Sequence, residues 1–206
     1  SRRLTFPKEI YHEIDIFSIE ETKAILEATK MEPIHIRVLI ELALFTALRR
    51  GELVGLKWSD IDFEKQQLTV KRSIYKPKGE NAIEKEPKTL SSIRTISIPN
   101  CLCETLQYYK KKQAENSLSL GERWKNLDYL FTDEFGNVMN PQTPTKQFSK
   151  FLERHNIRHL KFHCLRHTSA TLLLSGGCDI KTVSARLGHS SIETTNIYVH
   201  AIESID

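Results

Sequence analysis

No apolar run in this 206-residue sequence approaches the roughly 18 residues that a membrane-spanning helix requires. The densest patch, Leu172-Leu173-Leu174, is ended by Ser175 and two glycines. Cysteine is scarce: the four residues sit at 101, 103, 164 and 178, and Cys101-x-Cys103 has neither zinc-knuckle nor thioredoxin spacing, so reduced thiols are expected. There is no G-x-x-x-x-G-K-[ST] phosphate loop, no internal repeat and no low-complexity segment. The chain starts at Ser1 without a methionine, a secretory h-region or a transit leader, which reads as a piece of something longer. These absences exclude a membrane protein, a disulfide-stapled secreted scaffold and a disordered tail. The 39% hydrophobic and 27% charged content is that of an ordinary globular protein. A chain of this length buries about 70% of the surface it exposes unfolded, and needs no disulfide or structural metal.

The net charge of +4 says little; its distribution says more. Residues 65–98 carry a net +5 and residues 141–190 a net +6, while residues 191–206 carry −3. Two basic blocks suggest a face for a polyanion if the fold joins them; the alternative is solvated surface lysine. Carboxylates are few in the second block, Glu153 and Asp179 only, which is poor material for a metal-dependent nuclease.

Ser18-Ile19-Glu20-Glu21 is a capping box that starts a helix running to Lys30, and Pro33 opens a second. Ile36, Leu39, Ile40, Ala43, Leu44 and Ala47 follow a 3.6-residue period, with Leu42 and Phe45 widening the face of a core helix. A short helix is expected over Arg50–Lys57. The pattern then turns to β at Asp60–Phe63, Gln67–Arg72 and Ile93–Ile98, with a mobile charged turn around Pro77–Asn81. Helices return at roughly 100–116, 145–156, 164–175, 179–187 and 191–200, with Gly176-Gly177 and Gly188 at C-cap positions. The expected fold class is α+β, mostly helical, with a small three-stranded antiparallel sheet near the N-terminal third.

Three clusters place charge in good helix patterns: Thr46-Ala47-Leu48-Arg49-Arg50-Gly51-Glu52-Leu53, His163-Cys164-Leu165-Arg166-His167, and Leu187-Gly188-His189-Ser190-Ser191 followed by Tyr198. Singly, each has a plain reading. Arg49 could cap a helix, Tyr198 could be a core tyrosine, and His163 with His167 lacks the glutamate of an H-E-x-x-H zinc helix. Cys164 falls on a different helix face, so no metal site is expected.

In order, the clusters resemble the catalytic domain of the tyrosine recombinases, the phage-integrase family, over about residues 17–200. Ala47 departs from the family, which more often has glycine there. The resemblance implies a site-specific DNA recombinase that is independent of metal, nucleotide and other cofactors, with Arg49, Lys88, His163, Arg166, His189 and Tyr198 as its catalytic set. Lys88 is the family's general acid by its place in Pro87-Lys88-Thr89-Leu90-Ser91-Ser92-Ile93-Arg94, with Lys76, Lys78 and Lys85 as nearby competitors. The residue types suit the chemistry independently. A phenol is only about 0.1% ionised at pH 7, so a neighbour must take its proton. The planar donor forks of Arg49 and Arg166 suit the charge that grows on the non-bridging oxygens of a phosphodiester under attack. His163 and His189 can donate to those oxygens, and His163 is the better acceptor for the tyrosine proton. Glu52 is read as a support for Arg49, and His167 as a structural partner outside the catalytic set.

The resemblance further implies a linker at residues 1–16 from a separate DNA-binding domain, and a catalytic domain with a short C-terminal tail at residues 17–206. Double-stranded DNA is the expected partner. Other protomers would join on DNA in a tetrameric synapse, with a monomer off DNA, and accessory bending or directionality factors are possible partners. The expected location is the bacterial cytoplasm or nucleoid. Val199, Ala201, Ile202 and Ile205 form a stripe that would dock on a neighbouring protomer or fold back on its own core. Alternatives are a type IB topoisomerase and a catalytically silent DNA-binding module.

Overall fold

The structure is a computed structural model and describes residues 14–77, 79–85, 93–189, 191 and 193–203, the last four of these by backbone alone. The first helix, α1 (Ile19–Thr29), begins at the expected box: the Ser18 hydroxyl accepts from the Glu21 amide, and the Glu21 carboxylate accepts from the Ser18 amide. It packs on α2 (Ile34–Thr46), whose Val38, Leu39, Ile40 and Leu42 are wholly buried. So many apolar faces on one helix require neighbours all round, and α1, the short α3 (Arg50–Val54), α4 (Asn100–Leu120), α5 (Thr143–Arg154) and α6 (Cys164–Ser175) all pack against it. The fold closes with α7 (Ile180–Leu187) and α8 (Glu193–Glu203). Among the described residues no helix is long and apolar enough to cross a membrane.

The sheet consists of β1 (Ile61–Asp62), β2 (Gln67–Val70) and β5 (Arg94–Ser97), antiparallel in the order β1-β2-β5. Pairing of Leu68 with Ile96 and of Val70 with Arg94 puts these four on one face, as the two-residue period of a strand demands. Three of them are apolar and buried. The α+β expectation and the three-stranded sheet agree with this architecture.

Two local expectations are corrected. The short helix ends at Val54 rather than Lys57, because Gly55 follows it and Arg72 packs against that glycine. The stretch read as a turn-rich loop is flanked by a second hairpin, β3 (Ser73–Tyr75) and β4 (Ile83–Lys85). In β3 only Ile74 is buried, while β4 is exposed throughout and is tied down by charge: Glu84 accepts from the Tyr129 hydroxyl and pairs with Lys57 at 3.3 Å and Arg72 at 3.4 Å. A three-residue strand held this way carries no period-2 signal.

Candidate functional site

The site forms where the C-termini of α2 and α7 meet the N-termini of α3 and α6. Helix ends leave carbonyls without intrahelical donors and carry negative partial charge, and here arginines satisfy them. Arg166 donates through Nη1 to Ala47 O and through Nη2 to Leu187 O, the latter at 2.8 Å. Arg186 reaches back to Phe45 O and, at 3.2 Å, to Ser97 O. Arg49 reaches Gly188 O at 3.3 Å through Nη2 and Glu52 Oε1 at 3.0 Å through Nη1. One carboxylate and a ring of carbonyls therefore hold several guanidiniums in one place.

The two arginines of the expected set differ in access. Arg166 is 3% exposed and forms the floor, whereas the Arg49 side chain is 46% exposed and forms an arm. Burial, then the neighbouring Arg49, pulls Arg166 down to about 10, which still leaves it protonated at neutral pH. Ala47 ends α2 in the left-handed region at φ 55°, and that turn carries Arg49 to the N-cap of α3. Ala47, where the family more often has glycine, therefore holds a backbone conformation that disfavours a side chain. At Gly51 a Cβ would lie 2.5 Å from Ser73 Oγ and 2.7 Å from Ile74 O, so only glycine lets β3 approach α3 this closely.

His189 stands 3.1 Å from Arg166 Nη2 through Nε2 and 2.9 Å from Thr195 Oγ1 through Nδ1. Arginine can only donate, so Nε2 accepts and Nδ1 carries the hydrogen toward Thr195. Burial, with Arg166, Arg49 and Arg94 nearby, drives the His189 ring down to about 4 and keeps it neutral. Tyr198, on α8, is 1% exposed and stacks on His189 with ring centres 6.4 Å apart. Burial raises its hydroxyl above the ordinary phenol value, against the pull of Arg166 and Arg49.

The histidine nearest the phenol differs from expectation. His167 Nδ1 is 2.9 Å from Tyr198 Oη, while His163, at the N-cap of α6, is exposed and meets His167 edge-on at 4.5 Å between ring centres. The reason is helical geometry: residue 167 lies one turn into α6, on the side against which α8 packs. Burial, followed by His163, Arg166 and His189, lowers His167 to about 4, so its neutral ring can accept the phenolic hydrogen. His163 is also lowered, by loss of water along the inner edge of its exposed ring and then by Arg166, Arg49 and Arg50. The sequence carried the signal, since His167 is four residues after His163, but not which of the two α8 would cover.

Next to this cluster lies a cleft of 650 Å³ lined by Arg49, Arg50, Tyr75, Lys76, Lys161 and His163 together with uncharged residues. Lys76 comes from the first basic block and Lys161 from the second, so the fold brings the two blocks to one cavity. Lys88 lies outside the described residues, between the end of β4 and the start of β5. Residues 1–13 of the expected linker also lie outside them, as do the side chains of the tail stripe after Val199. Among the described residues no three His, Cys, Asp or Glu side chains gather where they could hold a metal ion.

The backbone matches recombinase structures first of all. The crystal structure of XerA recombinase aligns with a TM-score of 0.75 and 25% identity, covering 94% of this chain and 64% of that one. The Tn1549 transposon integrase in complex with a circular intermediate DNA aligns with a TM-score of 0.78 and 20% identity, covering 97% of this chain and 68% of that one. These likenesses place the chain among the α+β folds of that class. The phage integrase family model matches residues 16–204, and a XerC-like tyrosine recombinase of Caldanaerobacter subterraneus subsp. tengcongensis is 44% identical over 95% of this chain. The ICEBs1 integrase of Bacillus subtilis is 30% identical over 88% of it. This chain belongs to the phage integrase family. It spans about half the length of these relatives, 52% and 49% respectively.

Proposed function

We propose that the chain is the catalytic part of a site-specific DNA recombinase, the integrase of a phage or mobile element, acting on double-stranded DNA in the bacterial cytoplasm. The observation that carries the reading is the convergence of Arg49, Arg166, His189 and Tyr198, from four different segments, beside a cleft that joins both basic blocks. Tyr198 Oη attacks the scissile phosphorus and gives up its proton. A bond from phosphorus to the tyrosine forms, the bond to the 5′ oxygen breaks, and that oxygen leaves with a proton from Lys88. The 3′-phosphotyrosyl ester keeps the bond energy, and a 5′ hydroxyl from a second strand reverses the step. Arg49 and Arg166 balance charge on the non-bridging oxygens. His167 receives the phenolic hydrogen bond, a role assigned from sequence to His163; His163 faces the cleft and is the donor to a phosphate oxygen.

A phosphodiester cannot reach an oxygen on a residue only 1% exposed, so α8 shifts when DNA binds. On this reading the remaining length of the protein supplies further DNA contacts, protomers assemble as a tetramer on DNA, and accessory factors act on the assembly.

A nicked suicide duplex tests the reading, because loss of the short fragment traps a covalent protein–DNA band in SDS. Tyr198→Phe should abolish the band while DNA affinity stays within about twofold. Lys88→Ala should be rescued by sulfur at the bridging 5′ position, since a thiolate leaves without a proton; Arg49→Ala and Arg166→Ala should not be. Bands that persist in Tyr198→Phe move the nucleophile elsewhere.

A further inference from the structure

Arg94 opens β5 and has no part in the chemistry so far. It shares a sheet face with Leu68, Val70 and Ile96, so an arginine points where the strand pattern calls for an apolar residue. Its guanidinium forks onto Glu52, Nη1 to Oε1 at 3.1 Å and Nη2 to Oε2 at 2.7 Å, with both side chains only 10% exposed. The same two oxygens hold Arg49: Oε1 accepts from Nη1 at 3.0 Å and Oε2 from the Arg49 amide at 2.9 Å. The remaining edge of Arg94 serves α7, with Nε donating to Arg186 O at 2.8 Å. Gly188, immediately before His189, lies so close that an added Cβ would stand 2.8 Å from Arg94 Nη1 and 3.0 Å from Cζ.

Neutralising Glu52 requires one cation, and Arg49 already supplies it. A second, bidentate arginine fixes where the carboxylate points. Arg49 is the exposed arm of the site, with a long and rotatable side chain; besides Gly188 O it is aimed by the Glu52 carboxylate, which can do so only if something else holds it still. Resting on the recombinase reading above, we propose that Arg94 is a positioning residue: through Glu52 it aims the Arg49 guanidinium at the scissile phosphate, and through the Arg186 and Gly188 backbone it fixes the height of His189.

The test uses the full-length protein, the nicked suicide duplex, and a second duplex with a methylphosphonate at the scissile position, which removes the charge of one non-bridging oxygen. Arg94→Lys keeps the charge but loses the fork and the bond to Arg186 O. Its cleavage rate on the phosphodiester should fall by about ten- to a hundredfold with DNA affinity within about twofold. On the methylphosphonate the ratio of wild-type to variant rate should shrink toward one, because a misaimed guanidinium costs less where there is less charge to meet. Glu52→Gln, which keeps the shape of the group that Arg94 holds but replaces one of the two oxygens facing the fork with a donor, should give the same signature, and serves if Arg94→Lys does not fold. Equal ratios on the two substrates, or no fall in rate, overturn the proposal. If the wild-type protein forms no adduct on either duplex, the recombinase reading falls and the proposal falls with it; if wild type cleaves and the variants match it, only the proposal falls.

Discussion

Among the described residues two apolar regions hold the fold together, and they differ in what they contain. The larger surrounds α2 and takes in Phe17, Leu39, Leu53, Leu102, Phe131, Phe148 and Phe151, with residues from nearly every element. The smaller consists of Ala47, Ala170, Val183, Leu187 and Tyr198, and charge runs along its edge: Arg166 donates to the carbonyls of two of its five members. The first region is built from side chains that do no chemistry. The second encloses Tyr198, the proposed nucleophile, with only four other buried apolar residues, so little apolar area resists its withdrawal. On the proposed reading, stability and reactivity fall to different parts of one fold, and α8 is expected to leave its place without melting α2.

The most direct way to break this comparison is a cavity in the larger core. Leu39→Ala, at a fully buried position on α2, should lower global stability by about 2–5 kcal/mol in denaturant titrations. Hydrogen exchange then separates the regions. Amides of α2 should lose protection by the same amount, while those of α8, expected to open by a cheaper local route, should change little. An equal loss along both helices would mean that the two regions form one cooperative unit.

Acid should act in the opposite place. His167 and His189 both border the smaller region and are both lowered to about 4, from an ordinary value near 6.5. Their folded-state values lie below the unfolded ones, so between those limits the unfolded chain binds more protons and stability rises with pH. Stability from these two rings is full above about pH 6.5 and is lost as pH falls toward 4, on the order of 1–2 kcal/mol after allowance for their partial exposure. His167→Gln, which can still accept from the Tyr198 hydroxyl, should flatten the slope of melting temperature against pH in that window. An unchanged slope would show that the His167 ring is not held neutral by the fold.

Much of the larger region was legible in the sequence, because its signals are local. The capping box at Ser18 marks the start of α1 and the 3.6-residue period marks the buried face of α2; in the smaller region the glycines Gly176 and Gly188 mark the ends of α6 and α7 as plainly. The residues of the site were legible only as separate clusters, and family order was needed to join Arg49, Arg166, His189 and Tyr198. Which histidine meets the phenol was not legible, since His163 and His167 share a helical repeat and the choice depends on where α8 packs. Arg94 left a trace that pattern reading can use: it has the parity of Ile96 and Ile98, the buried side of its strand. The β4 strand of the hairpin left none, because it is exposed and is held by ion pairs from Glu84 to Lys57 and to Arg72 rather than by an apolar face.

The smallest effect probes the seam between the regions, at Ala47. Its φ of 55° costs an L-residue about 1–2 kcal/mol, while its methyl is wholly buried against the smaller cluster. Ala47→Gly relieves the strain, forfeits a methyl worth about 0.8 kcal/mol, and adds freedom to the unfolded chain worth roughly 0.5 kcal/mol or more. These nearly cancel, so the change in unfolding free energy should stay within about 0.5 kcal/mol of zero. Ala170→Gly is the matched control, since Ala170 is just as buried in the same cluster but sits inside helix α6. It loses the methyl and the helix preference with no strain to recover, and should cost about 1.5–2 kcal/mol. Equal costs at the two positions would mean that the turn into Arg49 stores no strain, and that the arm of the site is held by its hydrogen bonds alone.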